Sequence, residues 1–266
     1  MVNPPTHRAR KRFGQNFLHD PGIIQRIVQA IDPQPDDNLI EIGPGQGAIT
    51  TELLPLIGRM HAVELDRDLV TPLAEHCASL GELQIQNTDA LKFDFAQLAE
   101  AERPLRVVGN LPYNISTPLL FHLLDQADQI RDMHFMLQKE VVDRMAAKPG
   151  SKTYGRLTVM LQARAEVTSL FNIGPGAFNP PPKVESAFVR LLPLKPPPYQ
   201  IDDWDHFSRL VNQAFSQRRK TLRNSLGKLL TAETITAAGI DPGNRAEQLS
   251  VAEFVNLANQ ASIYNR

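Results

Sequence analysis

The sequence predicts an α/β chain: a mostly parallel sheet with helices on both faces, followed by a small all-α domain. Three observations predict it. Short apolar runs alternate with helix-period segments through the first two thirds of the chain, as in a parallel sheet whose crossovers are helices. The first of the sheet strands leads into the glycine-rich turn Gly43-Pro44-Gly45-Gln46-Gly47, and open sheets of this class take ligands at such turns. A proline stretch, Lys195-Pro196-Pro197-Pro198-Tyr199, then separates this pattern from a purely helical tail.

The elements follow in order. Asp20-Pro21-Gly22 precedes Ile23, Ile24, Ile27, Val28 and Ile31, a spacing that predicts a helix with Asp20 as its N-cap. Strands are predicted at 38–43, 60–65, 83–85, 106–109 and 133–137, with helices at 48–57, 69–80, 118–124 and 139–147 between and after them. Two more strands, 169–173 and 186–192, bring the sheet to seven. The loop joining them holds Gly174-Pro175-Gly176-Ala177-Phe178-Asn179-Pro180-Pro181-Pro182. So much proline continues neither a ladder nor a helix, which predicts a stiff loop. Helices are predicted at 207–215, 219–230, 232–238 and 251–261. Ser250 with Glu253 three residues on gives the last of them a capping box. The expected division is a sheet domain over 1–194, with a basic arm over 1–19, and a helical domain over 195–266.

Composition bounds the function. Of 266 residues, 42% are hydrophobic and 21% charged, a globular balance. No apolar run reaches the ~20 residues of a membrane span, and the basic N-terminus has no apolar segment behind it, so neither membrane nor secretory signal is expected. The single cysteine, Cys77, excludes an internal disulfide and any multi-cysteine metal site. A cytoplasmic protein without a metal is expected. The net charge of −1 hides an asymmetry: residues 1–150 carry 14 Lys and Arg against 20 Asp and Glu, and residues 151–266 carry 14 against 9. Two basic clusters stand out, Arg8, Arg10, Lys11 and Arg12, then Arg218, Arg219, Lys220 and Arg223. They read either as a polyanion contact or as a solvated face.

Three positions at successive strand ends describe a nucleoside pocket. The glycines at Gly43, Gly45 and Gly47 let the chain turn sharply and let a ligand approach, but their G-x-G-x-G spacing is not the fingerprint of a pyrophosphate site. Glu64, seventeen residues past Gly47, can accept from both ribose hydroxyls. Asp89 can accept from an exocyclic ring amine. Asn110-Leu111-Pro112-Tyr113 follows the fourth sheet strand at the same edge. It offers a side-chain oxygen, a carbonyl stiffened by proline and an aromatic face, the groups needed to hold a planar base by its amine.

The set Gln15-Asn16-Phe17-Leu18, Glu41-Ile42-Gly43-Pro44-Gly45, Glu64-Leu65-Asp66, Asn110-Leu111-Pro112-Tyr113-Asn114 and Phe178-Asn179-Pro180-Pro181-Pro182-Lys183-Val184 resembles the ribosomal RNA adenine dimethyltransferase family, from about Lys11 to the last helix. The resemblance implies a Rossmann-like class I S-adenosylmethionine-dependent methyltransferase. Asn16, Leu18, Gly43, Gly45, Glu64, Asp89 and Asn110 would hold the cofactor. Asn110, the Leu111-Pro112 backbone and Tyr113 would hold the target amine, and Phe178 would be a second aromatic wall. The N-terminal arm would form a lid, and both basic clusters would contact RNA. The bacterial small-subunit branch fits the motifs. It implies dimethylation of N6 on two adjacent adenosines in a hairpin loop near the 3′ end of 16S rRNA, on the immature small subunit, by a monomer with a role in subunit biogenesis. The rivals are a large-subunit rRNA methyltransferase and a mainly non-catalytic RNA-binding assembly factor. A dehydrogenase is disfavoured by the glycine spacing and by Asn110-Leu111-Pro112-Tyr113.

Overall fold

A computed structural model describes residues 15–264 apart from Ala101, without the side chains of 262–264. Arg8, Arg10, Lys11 and Arg12 therefore lie outside the described residues. In chain order the elements are β1 (Phe17–Leu18), α1 (Pro21–Ile31), β2 (Leu39–Ile42), α2 (Thr50–Ile57), β3 (Arg59–Val63), α3 (Arg67–Cys77), β4 (Glu82–Gln86), β5 (Leu105–Asn110), α4 (Ser116–Leu124) and β6 (Ile130–Gln138). There follow α5 (Lys139–Met145), α6 (Arg156–Gln162), β7 (Ala165–Ile173), β8 (Phe178–Asn179), β9 (Ser186–Pro193), α7 (Trp204–Phe215), α8 (Leu222–Ser225), α9 (Ala232–Ala237) and α10 (Val251–Tyr264).

Seven strands form one sheet in the order β4-β3-β2-β5-β6-β9-β7. The pairs from β4 to β6 are parallel, and β9 runs antiparallel to β6. The chain steps outward from β2 through β3 to β4, then returns to β5 on the other side of β2. That reversal opens a crevice at the strand carboxyl ends, where such sheets bind ligands. All four residues of β2 are buried, as expected of a strand covered on both faces. Asp20 caps α1 by accepting from the Ile23 N–H at 2.9 Å, and Ile27 and Ile31 turn into the core.

One charged residue holds the other end of α1. Arg106 on β5 is almost fully buried. Its guanidinium donates to the carbonyls of Ile31 at 2.5 Å and Asp32 at 3.2 Å, and pairs with Asp37 at 2.5 Å and Asp132 at 3.0 Å. It thus satisfies carbonyls that a helix leaves open at its C-terminus. Breaking such a buried pair by removing one partner costs about 3–5 kcal/mol.

The packing divides into two compact units, one of the residues up to Val142 with Thr168–Pro193, the other of Asp143–Val167 with the residues from Leu194 on. The second unit thus includes a segment ahead of the proline stretch. Its helix α6 has no counterpart among the elements expected from the sequence. Nor does the two-stranded pairing of β1 with β8, in which Leu18 lies opposite Phe178.

The helix expected over 219–230 is cut to the single turn α8. Leu222 donates its N–H to the Asn244 carbonyl at 2.7 Å, and Arg223 donates to Pro242 at 3.0 Å. Those backbone donors bond across to another segment instead of up the chain, so no helix begins before Thr221. The capping box at α10 is present: Ser250 N–H donates to the Glu253 carboxylate at 2.7 Å, and Glu253 N–H donates back to Ser250 Oγ at 3.3 Å. No helix among the described residues is long and apolar enough to cross a membrane.

Candidate active site

A cavity of about 170 Å³ opens at the carboxyl ends of β2, β3, β4 and β5 in the first unit. It gathers what the sequence pointed to: Asn16, Leu18, Gly43, Gly45, Glu64, Asp89, Asn110, Leu111, Pro112 and Tyr113 all line it. Most stand at or just beyond a sheet strand end, so the sheet itself sets their spacing.

The turn after β2 brings backbone close to the cavity. Gly43 and Gly45 adopt φ of 68° and 60°, a region costly for side-chain-bearing residues. A Cβ on Gly45 would meet the Phe17 ring at 3.1 Å. Phe17 belongs to β1, so the N-terminal segment lies against this turn. Gln15 reinforces the placement by donating to the Asp66 carboxylate at 3.1 Å.

Glu64 follows β3 and is buried. Its Oε2 accepts from the Gly45 N–H at 3.1 Å and its Oε1 from the Asp66 N–H at 2.8 Å. Burial raises its pKa, and these two N–H groups offset only part of the rise. The carboxylate is thereby fixed in direction at the cavity wall. Asp89 is part-exposed, and one of its oxygens accepts from the Leu91 N–H at 3.0 Å. The wall is thus built for hydrogen-bond donors on a ligand, which suits a ribose diol and a ring amine. No Lys or Arg among the described residues lines it. Among the described residues, no group of His, Cys, Asp and Glu is placed to hold a metal ion.

A third carboxyl stands in the wall, one to which the motif assigned no role. Glu41 is 2% exposed and lines the cavity. Thr50 donates its hydroxyl to it at 2.6 Å. Burial pushes its pKa from 4.5 up to about 7, with the Glu64 charge adding to the rise and the Thr50 hydroxyl opposing it. The cue in the sequence is its place two residues ahead of Gly43, within an otherwise apolar strand.

Asn110 is the last residue of β5. Its Nδ2 donates to the Asn16 main-chain carbonyl at 2.9 Å. That contact decides the orientation of the amide, because a carbonyl can only accept. The Pro112 carbonyl accepts from the Ile115 N–H at 3.2 Å in the turn leading to α4. Tyr113 is half-buried on the cavity wall, with its hydroxyl 2.9 Å from Ser186 Oγ.

Phe178, expected as a second aromatic wall, is not among the residues that line the cavity. It is 3% exposed and packs in the core with Leu18, Met136 and Phe188. Its strand β8 pairs with β1, which sets Phe178 opposite Leu18.

In the second unit, Arg218 is engaged. It donates to the Glu247 carboxylate and to the Lys152 carbonyl, both at 2.7 Å. Arg219, Lys220 and Arg223 are exposed.

Residues 6–262 match the family model described as ribosomal RNA adenine dimethylase. A ribosomal RNA small subunit methyltransferase A from Pseudomonas syringae pv. syringae is 58% identical over 262 residues, covering 98% of each chain. Among solved structures, a dimethyladenosine transferase from Plasmodium falciparum superposes with a TM-score of 0.76 at 27% identity, over 91% of this chain and 95% of its own. The 23S rRNA methyltransferase ErmE gives 0.73 at 25%, over 93% and 100%.

Proposed function

The chain belongs to the ribosomal RNA adenine dimethylase family, and from that premise we propose that it transfers methyl groups from S-adenosylmethionine to N6 of two adjacent adenosines near the 3′ end of 16S rRNA. One observation carries the reading: Asn110 stands at the end of β5 in the same cavity as Gly43, Glu64 and Asp89. A nucleoside-holding wall and an amine-holding turn therefore share one edge of one sheet.

The residues fit the cofactor. Glu64 takes the ribose hydroxyls, Asp89 the adenine amine, and the Gly43–Gly45 turn admits the ligand against bare backbone. Asn16 and Leu18 close the wall from the N-terminal side. When bound, S-adenosylmethionine supplies an electrophilic methyl on a sulfonium.

The chain's own work is positioning. The lone pair of an adenine amine is delocalised into the ring. Acceptors at both of its N–H groups favour a pyramidal nitrogen whose lone pair is available. Asn110 Oδ1 is one acceptor, since Nδ2 is committed to Asn16. A carbonyl of the Leu111-Pro112 backbone is the other; that of Pro112 also accepts from the Ile115 N–H in the turn. Tyr113 gives the base a face, a contact worth about 1–3 kcal/mol. Once alkylated, the nitrogen is acidic and loses its proton to water without a strong general base.

A base must leave its stack to reach this cavity, which favours hairpin-loop RNA as substrate. Arg219, Lys220 and Arg223 supply phosphate contacts that add affinity without sequence choice. The substrate is the immature small subunit, and the enzyme works as a cytoplasmic monomer in subunit biogenesis. The small-subunit reading is preferred to the large-subunit one because the 58% relative is named for the small subunit, whereas ErmE stands at 25%. Labelled methyl transfer onto unmethylated small and large subunits, side by side, tests it. Label on the small subunit alone is expected, and label on the large subunit alone refutes it.

A further inference from the structure

We infer that Ser186 is a positioning residue for the reaction, acting through the hydroxyl of Tyr113. The two residues are 73 apart in sequence, yet their oxygens lie 2.9 Å apart. Ser186 is 1% exposed. It is the first residue of β9 and is held in register opposite Gln138 of β6. The N–H of Lys139 donates to the Glu185 carbonyl at 2.9 Å, which pins the backbone just ahead of it. Ser186 is therefore a fixed point of the sheet.

Tyr113, by contrast, sits in the connection between β5 and α4. Its backbone carbonyl accepts from Ser116 Oγ at 3.1 Å. The hydroxyl bond to Ser186 secures the far end of the ring. With both ends held, the plane of the ring is set before any base arrives. A stacking face that needs no ordering on binding stabilises the flipped base more than a free one does, because less side-chain freedom is lost. The bond also satisfies the buried serine hydroxyl, which rules out reading it as an incidental surface contact.

This inference rests on Tyr113 being the face that receives the base. Four variants test it on unmethylated small subunits: Ser186→Ala, Tyr113→Phe, the double variant and Ser186→Thr. One hydrogen bond of this kind corresponds to roughly a 3- to 10-fold change. Ser186→Ala and Tyr113→Phe should each lower kcat/KM for RNA by that factor, with cofactor-product affinity unchanged; Tyr113→Phe, which leaves the buried Ser186 hydroxyl unpaired, should also lower the melting midpoint. The double variant should be no worse than either single one, and Ser186→Thr should recover most of the loss. Multiplying losses, or a Ser186→Ala loss that Thr does not relieve, overturns the inference. If Ser186→Ala fails to fold, Tyr113→Phe removes the same bond without touching the sheet, and wild-type turnover there overturns it equally. Tyr113→Ala separates the two levels: wild-type activity in that variant refutes the stacking role itself, not merely the tether.

Discussion

Asn110 Nδ2 donates to the main-chain carbonyl of Asn16 at 2.9 Å, across 94 residues of sequence. The bond joins the turn that would hold the target amine to the N-terminal segment, and both residues line the same cavity. It also fixes Nδ2, and not Oδ1, as the amide atom that faces Asn16.

Replacing Asn110 by Ala removes the acceptor and the tether together. Turnover should fall by at least about 10²-fold, the scale of losing one oriented polar group at a reacting centre, while cofactor-product affinity changes little. Asn110→Asp places an oxygen against the Asn16 carbonyl and should be as inactive despite its matching shape. Single-turnover transfer and calorimetric titration, measured on the same preparations, check both. Wild-type-like turnover in either variant removes Asn110 from its role.

Glu64→Gln keeps the volume but removes the charge that strengthens hydrogen bonds to a ribose diol. With charged hydrogen bonds worth about 1.5–3 kcal/mol each, affinity for the cofactor product should fall about 10- to 100-fold. An unaltered dissociation constant would take Glu64 off the ribose.

Glu41 makes stability depend on pH. Its folded-state pKa of about 7 lies above the usual 4.5, so the folded chain keeps a proton that the unfolded chain releases. Its contribution is full below the unfolded value and is lost as pH rises through about 7. The difference corresponds to at most about 3 kcal/mol. In the ligand-free protein, the melting midpoint should fall between about pH 5 and pH 8, and Glu41→Gln should flatten that fall. Equal slopes for the two proteins contradict the assignment.

The basic residues of the second unit should divide by role. Arg219, Lys220 and Arg223 are exposed, so replacing all three with Ala should weaken RNA binding at every sequence tested. The salt slope should become shallower by about one for each phosphate no longer neutralised. Arg218 is tied to Glu247 and Lys152, so Arg218→Ala should act more on melting than on the slope. An unchanged slope in the triple variant returns the cluster to a solvated face.

The sheet was legible because its strands are apolar runs of the right length, and the gathering of residues around the cavity because they fall at strand ends. What escaped depends on distant partners. The basic run near Arg219 looks helical in isolation, but Leu222 and Arg223 bond to Asn244 and Pro242. Arg106 reads as an ordinary strand position, yet its ion pairs reach Asp37 and Asp132. Phe178 sits in a proline-rich loop, yet that loop forms β8, which pairs with β1, and the ring packs in the core. The tie between Tyr113 and Ser186 has no local signature at all.

Digestion of methylated small-subunit RNA to nucleosides, after reaction with the wild-type chain and with Asn110→Ala, tests the central claim most directly. N6,N6-dimethyladenosine should form with the wild type, approaching two per subunit, and be absent with the variant. Methyl label that appears on a nucleoside other than N6-methyladenosine and N6,N6-dimethyladenosine, or dimethyladenosine formed equally by both proteins, would contradict it.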